Sequence, residues 1–352
     1  MLKRSINEFT AKLILKSDSA ILVKDGRLND ESRKSWEPDK KLRETMPAAI
    51  PISRNNLDDL QAAVTAGSNS LARVERLDFY IPGTSLRGAW RSHLERVLRG
   101  LTAAADSRVC DPLADADESP FAGCSWVLEN ERKKFLRDSK EKGREFPAYA
   151  KSCPVCRMFG NTTHGARLSI SDGRRENTAR GRLISREHVR VERHGGQVTG
   201  GILKFFALDG ANFEVDLTLR NFELWQLLLL NVLLTDIARG AIPVGSGKSK
   251  GYGQVSIVRE RTVFTATQFG LEKPGETLQG VGEHPLSAGE AQYDWLAGPA
   301  APQLTPPGQW AEESPWRWAR KLNWAEFEGL FKTARLNWGS VKPLAARREL
   351  RQ

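Results

Sequence analysis

Phe213-Glu214-Val215-Asp216-Leu217-Thr218-Leu219-Arg220 alternates apolar and polar side chains and gives way to the leucine-rich run 222–239, closed by Gly240. Alternation with a period of two predicts a strand with one buried face. The run 222–238 is interrupted by Glu223, Gln226, Asn231 and Asp236. It falls short of the ~20 apolar residues that span a bilayer, so a buried core helix is expected. After it come Gly245-Ser246-Gly247-Lys248-Ser249-Lys250-Gly251-Tyr252-Gly253 and an apolar strand pattern at 254–258. Strand, helix, glycine-rich loop and strand make one half of a split β-α-β arrangement.

The matching half lies upstream. Residues 9–15 read as a first strand, 56–66 as a short helix, and 77–80 as an extended lead into the turn at Ile81-Pro82-Gly83. A helix over 85–101 follows, with Leu86, Trp90, Leu94, Val97, Leu98 and Leu101 on one face and Thr84 or Ser85 as its cap. The expected class is α+β, with helices on one face of an antiparallel sheet. Residues 1–101 and 160–260 form the body, and 102–159 is a polar, irregular insertion that holds all four cysteines. Residues 261–352, rich in proline and holding six of the ten tryptophans, read as an appended segment.

The formal charge is +10, carried mostly by arginine, which forks onto phosphate oxygens. Such an excess is the footprint of a nucleic-acid partner, although net charge of either sign also serves solubility. Met1-Leu2-Lys3-Arg4-Ser5 leads into Asn7 and Glu8, not an apolar run, so neither a secretory signal nor a membrane partner is expected and the protein is placed in the cytoplasm.

Four motifs bear on chemistry. In 81–91, Gly83 frees a turn, Thr84 and Ser85 open a helix whose unpaired amides favour an anion, and Arg87 and Arg91 share a face four residues apart. An ordinary capped helix with a solvated basic face has the same pattern. In 245–253, Gly245, Ser246 and Gly247 let backbone amides approach a phosphate chain, with Lys248 and Lys250 adding charge. A nucleotide-binding P-loop is excluded, because Ile242 stands where its first glycine belongs and the loop follows a helix instead of a strand. A plain turn is the alternative.

Cys153-Pro154-Val155-Cys156 has the spacing that lets two thiolates share one zinc, and Cys110 and Cys124 could complete a tetrahedral set, with His164 as a substitute ligand. A redox pair is the rival, without the βαβ context it needs. The fourth motif is 167–193, with eight arginines, among them Arg167, Arg190 and Arg193. A turn at Gly195-Gly196 between extended arms predicts a basic hairpin over about 174–205, against the alternative of a solvated loop.

The segment 81–91, the run Cys153-Pro154-Val155-Cys156-Arg157-Met158-Phe159-Gly160, the following Ala166-Arg167-Leu168-Ser169-Ile170-Ser171-Asp172 and the 245–253 loop resemble, in this order, the RAMP superfamily. More narrowly they resemble the backbone subunits of class 1 CRISPR effector complexes, over roughly residues 5–260. The resemblance implies an RRM-like (ferredoxin-like) palm, a hairpin thumb and head-to-tail copies along a CRISPR RNA. Partners would be that RNA, a complementary target nucleic acid, further copies of the chain and other effector subunits. Heterologous stacking of this kind gives an open helical filament.

Type III backbone subunits cut target RNA with an aspartate in a glycine-rich loop after the first strand. Here that loop holds Asp18, Asp25 and Asp30 without the paired glycines, so the resemblance leans to the non-cutting type IV subunit. The type III nuclease is the alternative. A guide-processing endonuclease would need an acid–base residue, for which His93 and His188 qualify only by residue type.

Overall fold

A computed structural model of the chain describes residues 4–27, 47, 49–66, 69–101, 108–114, 122–138, 146–189, 191–192, 195–198, 202–284, 303–332 and 334. The elements in order are β1 (Asn7–Ser17), α1 (Leu57–Val64), α2 (Ser70–Glu75), β2 (Tyr80–Ile81), α3 (Gly83–Arg99), α4 (Cys124–Arg137), α5 (Ala148–Lys151) and α6 (Pro154–Phe159). They continue with β3 (Leu168–Ile170), β4 (Gly173–His188), β5 (Leu203–Arg220), α7 (Leu224–Ala238), β6 (Val255–Ile257), β7 (Val263–Phe269), β8 (Ala311–Ser314), β9 (Arg317–Leu322) and α8 (Trp324–Leu330).

Among the described residues nine strands join one antiparallel sheet in the order β2-β4-β5-β1-β7-β9-β8, with β3 also on β5 and β6 also on β1. The quoted alternation fixes the register: Phe213, Val215, Leu217 and Leu219 are buried and stand opposite Leu15, Leu13, Ala11 and Phe9 of β1. Helices α3 and α7 pack together over this apolar face, with Leu86, Trp90, Leu94 and Leu98 of α3 turned inward. α7 is buried nearly all round, as an apolar helix in a large core should be. Glu223 and Gln226 close its first turn as a capping box. Among the described residues no helix is long and apolar enough to cross a membrane. The arrangement is compatible with a ferredoxin-like fold.

Three expectations are amended. α3 begins at Gly83, ahead of Thr84 and Ser85, and neither caps it. The Gly83 N–H donates instead to Asp172 Oδ1 at 2.8 Å. A side chain on Gly83 would meet Ile170 O at 2.6 Å, so glycine is required where the helix start passes the β3–β4 connection.

The insertion is not irregular throughout: Cys124–Arg137 is a helix, anchored by Cys124 and Leu128 rather than by a repeating apolar face. The C-terminal segment does not sit apart either. β7 and β9 extend the sheet beyond β1, and Phe327 of α8 stacks on Phe264 (ring centroids 4.1 Å apart) and Phe9 (5.5 Å) in the main core.

The basic hairpin is present. β4 and β5 pair from Arg174↔Glu214 to His188↔Leu203, and Val191↔Val198 carries the pairing towards the Gly195-Gly196 turn. The register shifts between Arg175 and Arg180. Beyond this bulge Gly181 (φ +66°) lies where a side chain would stand 2.3 Å from Asp209 O.

Candidate nucleic-acid groove and metal centre

Two of the four motifs meet in space. Ser85, Gly88, Ala89, Ser92 and Arg96, which share one face of α3, line a groove of about 580 Å³. Residues 241–243 with Gly245, Ser246 and Lys248, and Val23 and Lys24 from the segment after β1, complete its lining. Small side chains on α3 leave room for a backbone, while Lys24, Arg96 and Lys248 place three cations around it.

The glycine-rich loop is tied down rather than open. The Ser246 N–H donates to Leu22 O at 2.7 Å and the Gly253 N–H to Ala20 O at 2.8 Å, so the loop is stitched to the segment after β1. Gly245 and Gly253 have φ of +87° and +82°, and a side chain there would stand 2.6 Å from Leu22 O and 2.0 Å from Val244 O. Lys248–Lys250 is a short 3-10 turn. Gly247 rests against the Tyr252 ring, and Lys250 points to the hairpin base, 5.8 Å from the Phe205 ring centroid.

The remaining expected RNA contacts lie elsewhere. Arg87 donates to Phe159 O. Arg91 donates to Gly160 O (3.1 Å), Cys156 Sγ (3.1 Å) and Glu95 Oε1 (2.8 Å). Their shared face therefore turns to the cysteine segment, away from the groove. Arg167 donates to Asn221 O and stacks over Tyr149 at 4.0 Å. Thr84 is exposed at the helix start, outside the groove lining. Arg190 and Arg193 fall outside the described residues. Lys24, Ser92 and Arg96 were missed, because three segments far apart in the chain build the groove and no local pattern links them.

Cys110, Cys124, Cys153 and Cys156 are all buried, and their sulfurs lie within 4.8 Å of one another. Cys110 Sγ is 3.6 Å from Cys153 Sγ and 3.7 Å from Cys156 Sγ. Four sulfurs at Zn–S of about 2.3 Å would stand about 3.8 Å apart, so the cluster fits a tetrahedral ion. The Cys156 N–H points to Cys153 Sγ at 3.4 Å, which orients a sulfur as an acceptor. Bonding with Cys124, then Cys153, pushes the Cys110 thiol up; bonding with Cys110, then Cys124 and Cys153, does the same to Cys156. Thiols so crowded need a cation before they all ionise. His164 is not in the set: its Nε2 meets Ser152 Oγ at 3.0 Å.

Asp25 is buried, and its carboxylate takes the Arg27 N–H (3.0 Å), Nε (2.9 Å) and Nη2 (2.6 Å). Asp18 is partly exposed, 4.0 Å from Lys16 Nζ. Asp30 lies outside the described residues. His93 Nε2 meets Asp236 Oδ2 at 2.7 Å between α3 and α7, and His188 Nε2 meets Tyr252 Oη at 2.8 Å.

No curated protein matches the chain. The RAMP superfamily model matches residues 66–256, a span that holds α3, the cysteine segment, the hairpin, α7 and the glycine-rich loop. That is more than half of the 352 residues, and the chain therefore belongs to the RAMP superfamily.

Proposed function

We propose that this chain is a CRISPR-RNA-binding backbone subunit of a class 1 effector complex, of the type IV kind, that lines up in head-to-tail copies along the guide and does not cut. RAMP proteins act with CRISPR RNA in effector complexes. The observation that carries the reading is the groove, where α3, the glycine-rich loop and Lys24 converge with three basic side chains and small walls. Such a groove holds a phosphate chain by charge and shape, leaving sequence to be read by pairing between guide and target.

Zinc in the four-cysteine cluster would have a closed shell, structural and without an open position for water. A non-cutting role is supported by Asp25, whose carboxylate is engaged by Arg27 and not presented to a metal. The processing-endonuclease alternative is disfavoured because neither His93 nor His188 lines the groove.

RNA affinity of the purified chain should fall steeply between about 50 and 200 mM salt and depend little on sequence. Lys248→Glu should weaken it and flatten the salt dependence. Equal affinity at both salt concentrations would defeat the proposal. Complementary RNA incubated with the assembled complex and magnesium should stay intact; regularly spaced products, lost in Asp25→Ala, would instead establish the type III nuclease.

A further inference from the structure

We infer that the base of the hairpin is a second contact point for the same RNA strand, where a nucleobase stacks on Phe205 and its phosphate lies between Lys24 and Lys250. The inference rests on the RNA-binding reading of the groove and extends it to a subsite.

Phe205 is only partly buried, near the start of β5 and opposite Arg186 of β4. Two ammonium groups from separate segments converge on its ring: Lys24 Nζ at 5.4 Å and Lys250 Nζ at 5.8 Å from the centroid. Among the described residues neither Lys24 nor Lys250 is ion-paired with a carboxylate, unlike Lys16, Lys133 and Lys151. Two cations beside one aromatic ring without an acid form a place for an anion attached to a flat ring, which describes one nucleotide.

The surroundings hold the platform in place. The His188 ring lies 4.8 Å from Phe205 and tilts 46° to it. Its Nε2 shares a 2.8 Å hydrogen bond with Tyr252 Oη, and Tyr252 is buried beneath Gly247 of the loop. Burial, then Lys250 and Arg186, hold His188 below its ordinary range, so at neutral pH it is an uncharged flat ring beside Phe205. Lys24 belongs to both places, as a groove wall and as a cation over Phe205, so a strand leaving the groove past Lys24 meets the platform next. The competing account is that both lysine stems merely cover an apolar ring.

The test uses single-stranded RNA carrying 2-aminopurine at successive positions, bound to the full chain. The wild type should quench the probe at a defined position. Phe205→Leu should abolish that quench and weaken binding about five- to 150-fold, the range for one base–aromatic stack. Phe205→Tyr, which keeps the ring, should retain both, and an unchanged urea midpoint in Phe205→Leu separates lost stacking from a fold defect. Lys250→Gln, at an exposed position, should lower the salt slope by about one counterion. Unchanged quench and affinity in Phe205→Leu, with Lys248→Glu still weakening binding, overturns the subsite and leaves the groove standing. Unchanged binding in Lys248→Glu overturns the groove and the subsite with it.

Discussion

Replacing Arg91 with methionine keeps an unbranched stem but removes three contacts at once: to Cys156 Sγ, Gly160 O and Glu95 Oε1. Glu95 is 5 % exposed and would be left a buried carboxylate without that partner. Burial opposes the charge on Arg91, yet Cys156 and Glu95 together hold its guanidinium above its ordinary range. Breaking a buried pair by removing one partner costs about 3–5 kcal/mol. The Arg91 side chain is 22 % exposed, so the low end, about 3 kcal/mol, is expected.

The contact to Cys156 predicts a second effect. Loss of a group that bonds a metal-ligating atom typically costs about 10–100-fold in metal affinity. Urea unfolding of the zinc-loaded chain measures the first effect and competition with a calibrated chelator the second. In Arg91→Met/Glu95→Leu the stability should largely return, because the stranded carboxylate is gone, while zinc affinity stays low. A single variant that loses under about 1 kcal/mol and binds zinc as the parent does would refute the reasoning.

Elemental analysis should find about one zinc per chain, and its removal should loosen the described insertion residues in hydrogen exchange while sparing α7, because metal binding here is folding energy. Four freely titrating thiols at unchanged stability would contradict this. Glu176 is buried, and hydrogen bonding from Arg261 holds its carboxyl below the usual 4.5. A depressed folded value means its stabilisation is complete above the usual value and lost as pH falls through the folded one. The urea midpoint should therefore drop more between about pH 5 and pH 3 in the wild type than in Glu176→Gln; parallel curves would dismiss the pair. Gly253→Ala should destabilise by at least about 1–3 kcal/mol from its left-handed backbone alone, with RNA binding lost as the loop shifts, as melting and filter binding can read.

The parts of the fold legible in the sequence were those with a short period. Alternation gave β5, the leucine run gave α7, and the Cys153–Cys156 spacing announced two cysteines of one cluster. Spacing also put Arg87 and Arg91 on one helix face, but spacing cannot say what that face meets, and here it meets Phe159, Gly160 and Cys156. The partners of the CxxC were guessable only by elimination, since Cys110 and Cys124 reach it through tertiary packing. The groove was hidden because Lys24, Arg96 and Lys248 come from three distant segments. β7 and β9 were missed because proline- and tryptophan-rich composition masked short strands, although the ladder from Phe264↔Leu322 to Phe269↔Arg317 is regular.

The sheet runs from the two-residue strand β2 at one end to the four-residue strand β8 at the other, and Glu312 and Glu313 stand exposed on β8. Short, charged margins offer poor templates for another chain's backbone. At these ends a second copy finds little backbone to pair with, and where β4 runs on past β2 its edge carries the exposed Arg180, Arg182 and Arg186, whose like charges repel another copy. Without nucleic acid the chain should stay dispersed in light scattering, and assembly should begin only when a polyanion long enough for two copies is supplied.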